Sequence, residues 1–257
     1  MKYSCSVICD IGIVRKNNED NFYINGVYRE NVNERHIEYS CEIVNNSIVA
    51  GVFDGMGGEA DGELASLEAA KRLVAYQNKD FSSISSDYVV ETNDAICQMM
   101  DTLGKGRMGS TMAIIKISEE SFSLCNIGDS PVYLLRDNEL KQLSMDHNEA
   151  QNMYEMGMIT KEELKTDIHK NYLTQHLGIY DDEMLIEPFV LADQMINVGD
   201  ILLICSDGLT DMVSERDIEK IMSEERSGVS IAKLLIETAL QNGGRDNVTV
   251  MVIMCED

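Results

Sequence analysis

Tryptophan is absent from this 257-residue chain and proline occurs only twice. Two prolines with 18 glycines exclude a collagen-like rod or a Pro-rich linker architecture. Basic residues are also scarce: Lys+Arg 21 against Asp+Glu 45 give a net charge of −24, spread along the whole chain. Such a field repels a nucleic-acid backbone and an anionic membrane surface, so neither is an expected partner. No run approaches the roughly 18 apolar residues of a membrane span. The opening Met1–Asp10 carries one Lys and a short apolar run broken by Ser and Asp, unlike a secretory signal.

Cysteine is present but unorganised. The 7 cysteines make an odd count without a C-x-x-C pair. Cys125 and Cys205 sit inside apolar runs, so the set reads as buried free thiols of a cytoplasmic protein. Cys5 and Cys9 would need two further soft ligands to hold a metal, and nothing supplies them. What the chain does have is material for a core. It is 44% hydrophobic, with 26% charged residues, which argues against disorder. No repeat or linker interrupts it, so one domain over residues 1–257 is expected.

Apolar, β-branched runs predict strands at about Ser47–Phe53, Thr111–Ile117, Ser121–Ile127, Val132–Leu135, Ile201–Cys205 and Val248–Met254. The third and fourth are close enough to predict a hairpin. Leu64, Leu67, Ala70 and Val74 recur at helical spacing, as do Ile231, Leu234, Leu235 and Ala239. Thr160 with Glu163, and Ser214 with Asp217, read as helix starts. A helix is also expected within Ser86–Leu103. Strands adjacent in sequence, then helices, then strands predict an antiparallel α+β layering. Asp146–Asp182 is polar and poor in strand signals, and reads as a helical insertion.

Chemistry is suggested by where aspartates fall. Asp54 closes one apolar run and precedes Gly55-Met56-Gly57-Gly58. Asp207 closes another, Asp129 follows Ile127-Gly128, and Asp246 opens the last strand. One such Asp is an ordinary turn residue. Several at strand ends can converge, and converging carboxylates repel unless cations neutralise them. Oxygen-only ligands suit Mg²⁺ or Mn²⁺. Zinc fits poorly, since the 4 His lie outside any ligand spacing. The glycines after Asp54 lack the Lys-Ser/Thr of a Walker loop and read as a tight turn presenting a carbonyl. Arg15, five residues before Asp20 and close to Glu19, offers a bidentate receptor for a phosphoryl group. Metal-held carboxylates beside a phosphate-binding Arg are the parts of phosphoester hydrolysis.

Six motifs in order then carry a family resemblance over essentially the whole chain. They are Gly12-x-x-Arg15-x-x-Asn18-Glu19-Asp20, Asp54-Gly55-Met56-Gly57-Gly58, Gly109-Ser110-Thr111, Gly128-Asp129-Ser130, Ser206-Asp207-Gly208-Leu209 and Asp246-Asn247-Val248-Thr249. This order resembles the metal-dependent protein serine/threonine phosphatases of type 2C, in their compact bacterial stand-alone form. His169–Gly178 is similar to that branch's flap-to-core segment.

The resemblance implies an α-β-β-α sandwich of two antiparallel sheets flanked by helix pairs, with a flap at about 146–182. It implies two Mn²⁺ or Mg²⁺ ions and a weaker third. Asp54 would bridge two ions, with the Gly55 carbonyl as a further ligand. Asp207 and Asp246 would hold the first ion, and Asp20, with Glu19 beside it, would support the second. Asp129 would help with the third, and Arg15 would grip the substrate phosphate. Attack would come from a hydroxide shared by the two ions, without a covalent phosphoenzyme.

The expected substrates are phosphoproteins carrying phosphoserine or phosphothreonine, the expected counterpart a Hanks-type Ser/Thr kinase, and the expected state a cytoplasmic monomer. The competing reading is a phosphatase-like module that only binds. Three positions depart from the pattern: Met56 and Glu59 stand where relatives carry His, and Pro131 where an Arg is usual. Protonation of the leaving alkoxide is therefore unassigned. His147 and His169 read as surface or structural residues.

Overall fold

The computed structural model describes residues 1–44, 47–57, 61–104 and 106–257. In chain order the strands are β1 (Lys2–Asp10), β2 (Asn21–Ile24), β3 (Val27–Tyr28), β4 (His36–Val44), β5 (Ile48–Phe53) and β6 (Gly55–Met56). Then follow helices α1 (Gly62–Leu73), α2 (Phe81–Ser83) and α3 (Val89–Leu103). A second run of strands comprises β7 (Gly109–Ser110), β8 (Met112–Ser118), β9 (Ser121–Ile127), β10 (Val132–Arg136) and β11 (Glu139–Gln142). Helices α4 (Glu149–Glu155) and α5 (Lys161–Leu164) precede β12 (Phe189–Met195) and β13 (Ile201–Cys205). Helices α6 (Asp207–Thr210), α7 (Glu215–Glu224) and α8 (Gly228–Gln241) lead into β14 (Val248–Glu256).

Two antiparallel six-stranded sheets result, ordered β11-β10-β13-β14-β1-β4 and β12-β9-β8-β5-β2-β3. Alternation of side chains decides how they pack. Val7, Cys9, Leu202 and Ile204 of one sheet meet Ile48, Ala50, Val52 and Ile115 of the other in a central core. Val49, Phe53 and Ile114 instead face outward beneath α1 and α3. Leu203, Cys205 and Val250 face outward beneath α7 and α8. Strands such as β5 and β13 are buried on both faces, which is why they read as continuous apolar runs. The architecture is the expected α-β-β-α sandwich.

Two local expectations are corrected. Ser121–Ile127 and Val132–Leu135 do not form a hairpin. β9 pairs with β8 and β12, whereas β10 pairs with β11 and β13 in the other sheet. The connection through Gly128, at φ +94, crosses between sheets and carries Asp129 at the crossing. The buried stripe of α1 is Ala65, Ser66, Ala69, Ala70 and Leu73, while Val74 is 46% exposed. Small residues let that helix lie close on the sheet, and the larger Leu64 and Leu67 flank the contact. The helix starts at Ser214 and Thr160 do form, the second as a complete capping box.

Candidate active site

Antiparallel register gathers the acidic strand ends at one end of the sandwich. In one sheet, Asn21 lies opposite Phe53, Val52 opposite Ala113, and Ala113 opposite Asn126. The residues just beyond these pairs are Asp20, Asp54 and the Gly128–Asp129 crossing. In the other sheet, Asp10 lies opposite Val248 and Cys205 opposite Val250, so Asp246 and Asp207 leave from the same end.

Each carboxylate has its own support. Asp20 is fully buried, and its Oδ2 accepts hydrogen bonds from Ser206 Oγ and Thr249 Oγ1, both at 2.7 Å. Its Oδ1 is buried without a partner. The backbone around Asp54 is fixed by Thr111, whose Oγ1 accepts from Asp54 N at 3.0 Å and whose N donates to Asp54 O at 2.8 Å. Thr111 Oγ1 in turn pairs with Ser130 Oγ at 2.6 Å, next to Asp129. Gly55 leaves no room for a side chain: a Cβ there would lie 2.3 Å from the Gly62 carbonyl oxygen and 2.5 Å from that of Glu19. Gly208 is equally constrained, 2.0 Å from the carbonyl oxygen of Asn247.

The N-terminal loop is tied down by side chains whose role the sequence reading did not assign. Asn247 Oδ1 accepts from Glu19 N at 2.7 Å, while its Nδ2 donates to the carbonyls of Ile11 and Asn17. Arg29 is completely buried, and its guanidinium donates to the carbonyls of Asn18 and Asp20, and of Asn31, Val32 and Glu34. No periodicity marks Arg29. Its signal is only that a buried Arg must spend its donors on something.

The electrostatics are one-sided. Burial, with repulsion from Asp20, Asp207, Asp246 and Asp129, holds the Asp54 carboxyl well above the ordinary carboxylate range. Asp129 is raised in the same way by burial and by Asp207 and Asp146. Burial above all pushes Asp20 up to about 7 and Asp207 to about 6; Asp246 adds to both, and an Asp54 hydrogen bond partly offsets the rise at Asp207. Asp146 and Asp211 also belong to this acidic neighbourhood, the first raised to about 7 by burial. The sequence reading did not single them out.

Among the described residues, Arg15 and Lys170 reach the cluster's edge, 2.5 Å from Asp246 Oδ2 and 2.6 Å from Asp211 Oδ1. Among the described residues no three His, Cys, Asp or Glu side chains already close around one ion-sized point. The donor set nonetheless suits hard divalent cations. It is all oxygen and desolvated, carries several negative charges, and leaves one buried carboxylate oxygen unpaired.

The four histidines are engaged elsewhere. His147 Nδ1 accepts from Gly128 N at 3.1 Å, and the His147 backbone N–H donates to Gly128 O at 2.9 Å, clamping the crossing loop to the 146–182 segment. Burial holds its imidazole toward the neutral form. His169 pairs with Asp167, His36 with Asp10, and His176 with the Leu177 carbonyl. Gly58 and Glu59 lie outside the described residues.

Comparison with known proteins identifies the family. Residues 15–248 match the family model "Protein phosphatase 2C". The serine/threonine phosphatase stp of Listeria welshimeri is 32% identical over 254 residues, covering 95% of this chain and 92% of its own. The protein phosphatase PhpP of Streptococcus pneumoniae is 30% identical, covering 96% of each chain. The crystal structure of the Mycobacterium tuberculosis phosphatase PstP/Ppp superposes with a TM-score of 0.82 at 30% identity over the whole of both chains. A structure of the PstP catalytic domain with 2 manganese ions superposes with a TM-score of 0.79 at 29% identity over the whole of both chains.

Proposed function

The chain belongs to the protein phosphatase 2C family and is a metal-dependent serine/threonine phosphatase; on that premise we propose how its own residues carry the reaction. Asp54 and the Gly55 carbonyl, with Asp207, Asp246, Asp20 and Asp129, would hold two Mn²⁺ or Mg²⁺ ions and a weaker third. When bound, such ions supply positive charge to the phosphoryl oxygens and make coordinated water more acidic. The observation that carries this reading is the buried, unpaired Oδ1 of Asp20 inside a cluster of mutually repelling carboxylates.

The remaining residues position. Ser206 and Thr249 fix the Asp20 carboxylate so that its second oxygen stays available. Thr111 and Ser130 link the Asp54 and Asp129 turns into one unit. Arg15 has a guanidinium half exposed at the rim, and its partner Asp246 is a proposed metal ligand. Released from Asp246, the Arg15 fork would accept two phosphoryl oxygens. With the four histidines occupied elsewhere, the leaving serine or threonine oxygen takes its proton from solvent in this scheme.

Residues 1–257 then form one catalytic domain. Tyr3 and Cys255, near opposite ends of the chain, share the central core, which supports that reading. The 146–182 segment serves as the flap beside the site. The natural substrates are phosphoproteins, and a Hanks-type Ser/Thr kinase is the proposed counterpart of a monomeric cytoplasmic enzyme. Among the described residues no helix is long and apolar enough to cross a membrane. The test is hydrolysis of an aryl phosphate and of a phosphothreonine peptide with Mn²⁺, with and without chelator. Chelator-sensitive release of phosphate from both is expected. A folded protein that binds the peptide but releases nothing would instead establish a binding module.

A further inference from the structure

Far from the acidic end, β1 and β4 place two cysteines directly opposite one another. The register pairs Cys5 with Cys41. Residues directly opposed in an antiparallel pair have Cα atoms about 4.5 or 5.5 Å apart and side chains on one face. Both separations fall within the range of roughly 4.4–6.8 Å that a disulfide spans. The shared face is the central core: Cys5 is buried in it, and Cys41 packs against its margin. β4 is the edge strand of its sheet, and Cys41 is only half-buried, so reagents can reach it from outside.

We propose that Cys41 and Cys5 form a peroxide-reactive dithiol, a site of reversible covalent modification in which Cys41 reacts first and Cys5 resolves. The surroundings of Cys41 support that order. Interaction with Cys5 above all, and with Tyr39, holds the Cys41 thiol below its ordinary range. A thiolate that is reachable and stabilised is the reactive form of cysteine. The other five lack this combination. Burial raises Cys9, Cys97, Cys125, Cys205 and Cys255. The strand cysteines among them face Ile37, Val190, Val250 and Tyr3 rather than another thiol.

The chemistry balances with hydrogen peroxide as oxidant. The Cys41 sulfur attacks one peroxide oxygen and the O–O bond breaks. The second oxygen leaves as hydroxide and is protonated to water. Sulfur has then lost two electrons and become a sulfenic acid, while the peroxide has gained them. The Cys5 sulfur next displaces the sulfenic oxygen, forming the S–S bond, and that oxygen leaves as water with the Cys5 proton. A dithiol reductant restores both thiols by exchange and is itself oxidised to a disulfide. The closed disulfide would join β1 and β4, between which the chain runs through the loop bearing Arg15 and Asp20 and through β2 and β3.

The experiment treats the manganese-loaded protein with hydrogen peroxide, blocks remaining thiols, and maps peptides without reduction. The expected result is a Cys5–Cys41 linked peptide that dithiothreitol removes, with the other five cysteines alkylated. In Cys5→Ser, dimedone should label Cys41 as the sulfenic acid. In Cys41→Ser, Cys5 should remain a free thiol. The proposal is overturned if Cys41 stays reduced while other cysteines oxidise, if Cys41 links to a different cysteine, or if Cys5 oxidises equally fast without Cys41.

Discussion

Two aspartates, Asp20 and Asp200, are buried to nearly the same degree at opposite ends of the sandwich, and the protein treats them differently. Asp200 has a side chain only 2% exposed, and both its oxygens are engaged. Arg136 grips it through Nε at 2.9 Å and Nη2 at 2.6 Å, and Asn197 N donates to Oδ2 at 2.7 Å. Asp20 is buried beside other acids, receives two hydroxyl donors on one oxygen and nothing on the other. The first is an anion neutralised from within the chain. The second is an anion whose counter-charge must come from outside it. A buried carboxylate next to Arg is structure, whereas one next to further carboxylates is a receptor for cations.

The sharpest way to break this comparison is at the acidic end. Asp207→Asn should lower manganese-dependent turnover of an aryl phosphate by about 10³-fold or more, on the scale of losing a key electrostatic group. Its circular dichroism should be unchanged; comparable turnover would mean that Asp207 holds no essential ion. The matched pair Asp20→Asn and Asp200→Asn comes next. Asp200→Asn leaves Arg136 half-paired and should cost about 2 kcal/mol in denaturant unfolding, discounted because Arg136 is 35% exposed. Asp20→Asn should instead stabilise the metal-free protein while weakening manganese binding by calorimetry. Destabilisation of equal size in both variants would erase the distinction.

Acidity sharpens the same contrast. Asp20 and Asp207 have native values raised to about 7 and about 6. The unfolded chain titrates near 3.9, so the native state binds more protons between these limits. Their contribution to stability is fully present below about pH 4 and is lost as pH rises to about 7. The melting temperature of metal-free protein should therefore fall across that window by several degrees relative to Asp20→Asn, and manganese should remove the difference. The smallest effect is expected at the rim. Arg15→Ala should change stability by less than about 1 kcal/mol, since its pair with Asp246 is half-exposed. It should raise KM for a phosphopeptide about tenfold, a loss typical of a charge-assisted contact.

Much of this was legible from residue order. β9 and β13 coincide with their expected limits because a strand buried on both faces has no other way to look. The ends of such strands then fixed attention on Asp54, Asp129, Asp207 and Asp246. Strands with half-exposed alternation were harder: β4 runs as exposed and half-buried residues in turn, and β12 contains a shift of register. β4 produces no apolar run, and that of β12 stops after Phe189–Ala192. Arg29 and Asn247 were invisible as organisers because their partners are backbone carbonyls and an N–H, which any sequence supplies. Asp146 looked like one more acid in a polar segment until folding set it beside Asp129.

The order of amino acids alone determined the layering, the carboxylate chemistry and the family, since periodicity and motif spacing are properties of the chain as written. Which strands share a sheet, which oxygen of Asp20 lacks a partner, and which two thiols face one another were decided only in three dimensions. Pairing register and burial depend on contacts between residues far apart in the chain, and those energies exist only once the sandwich has closed.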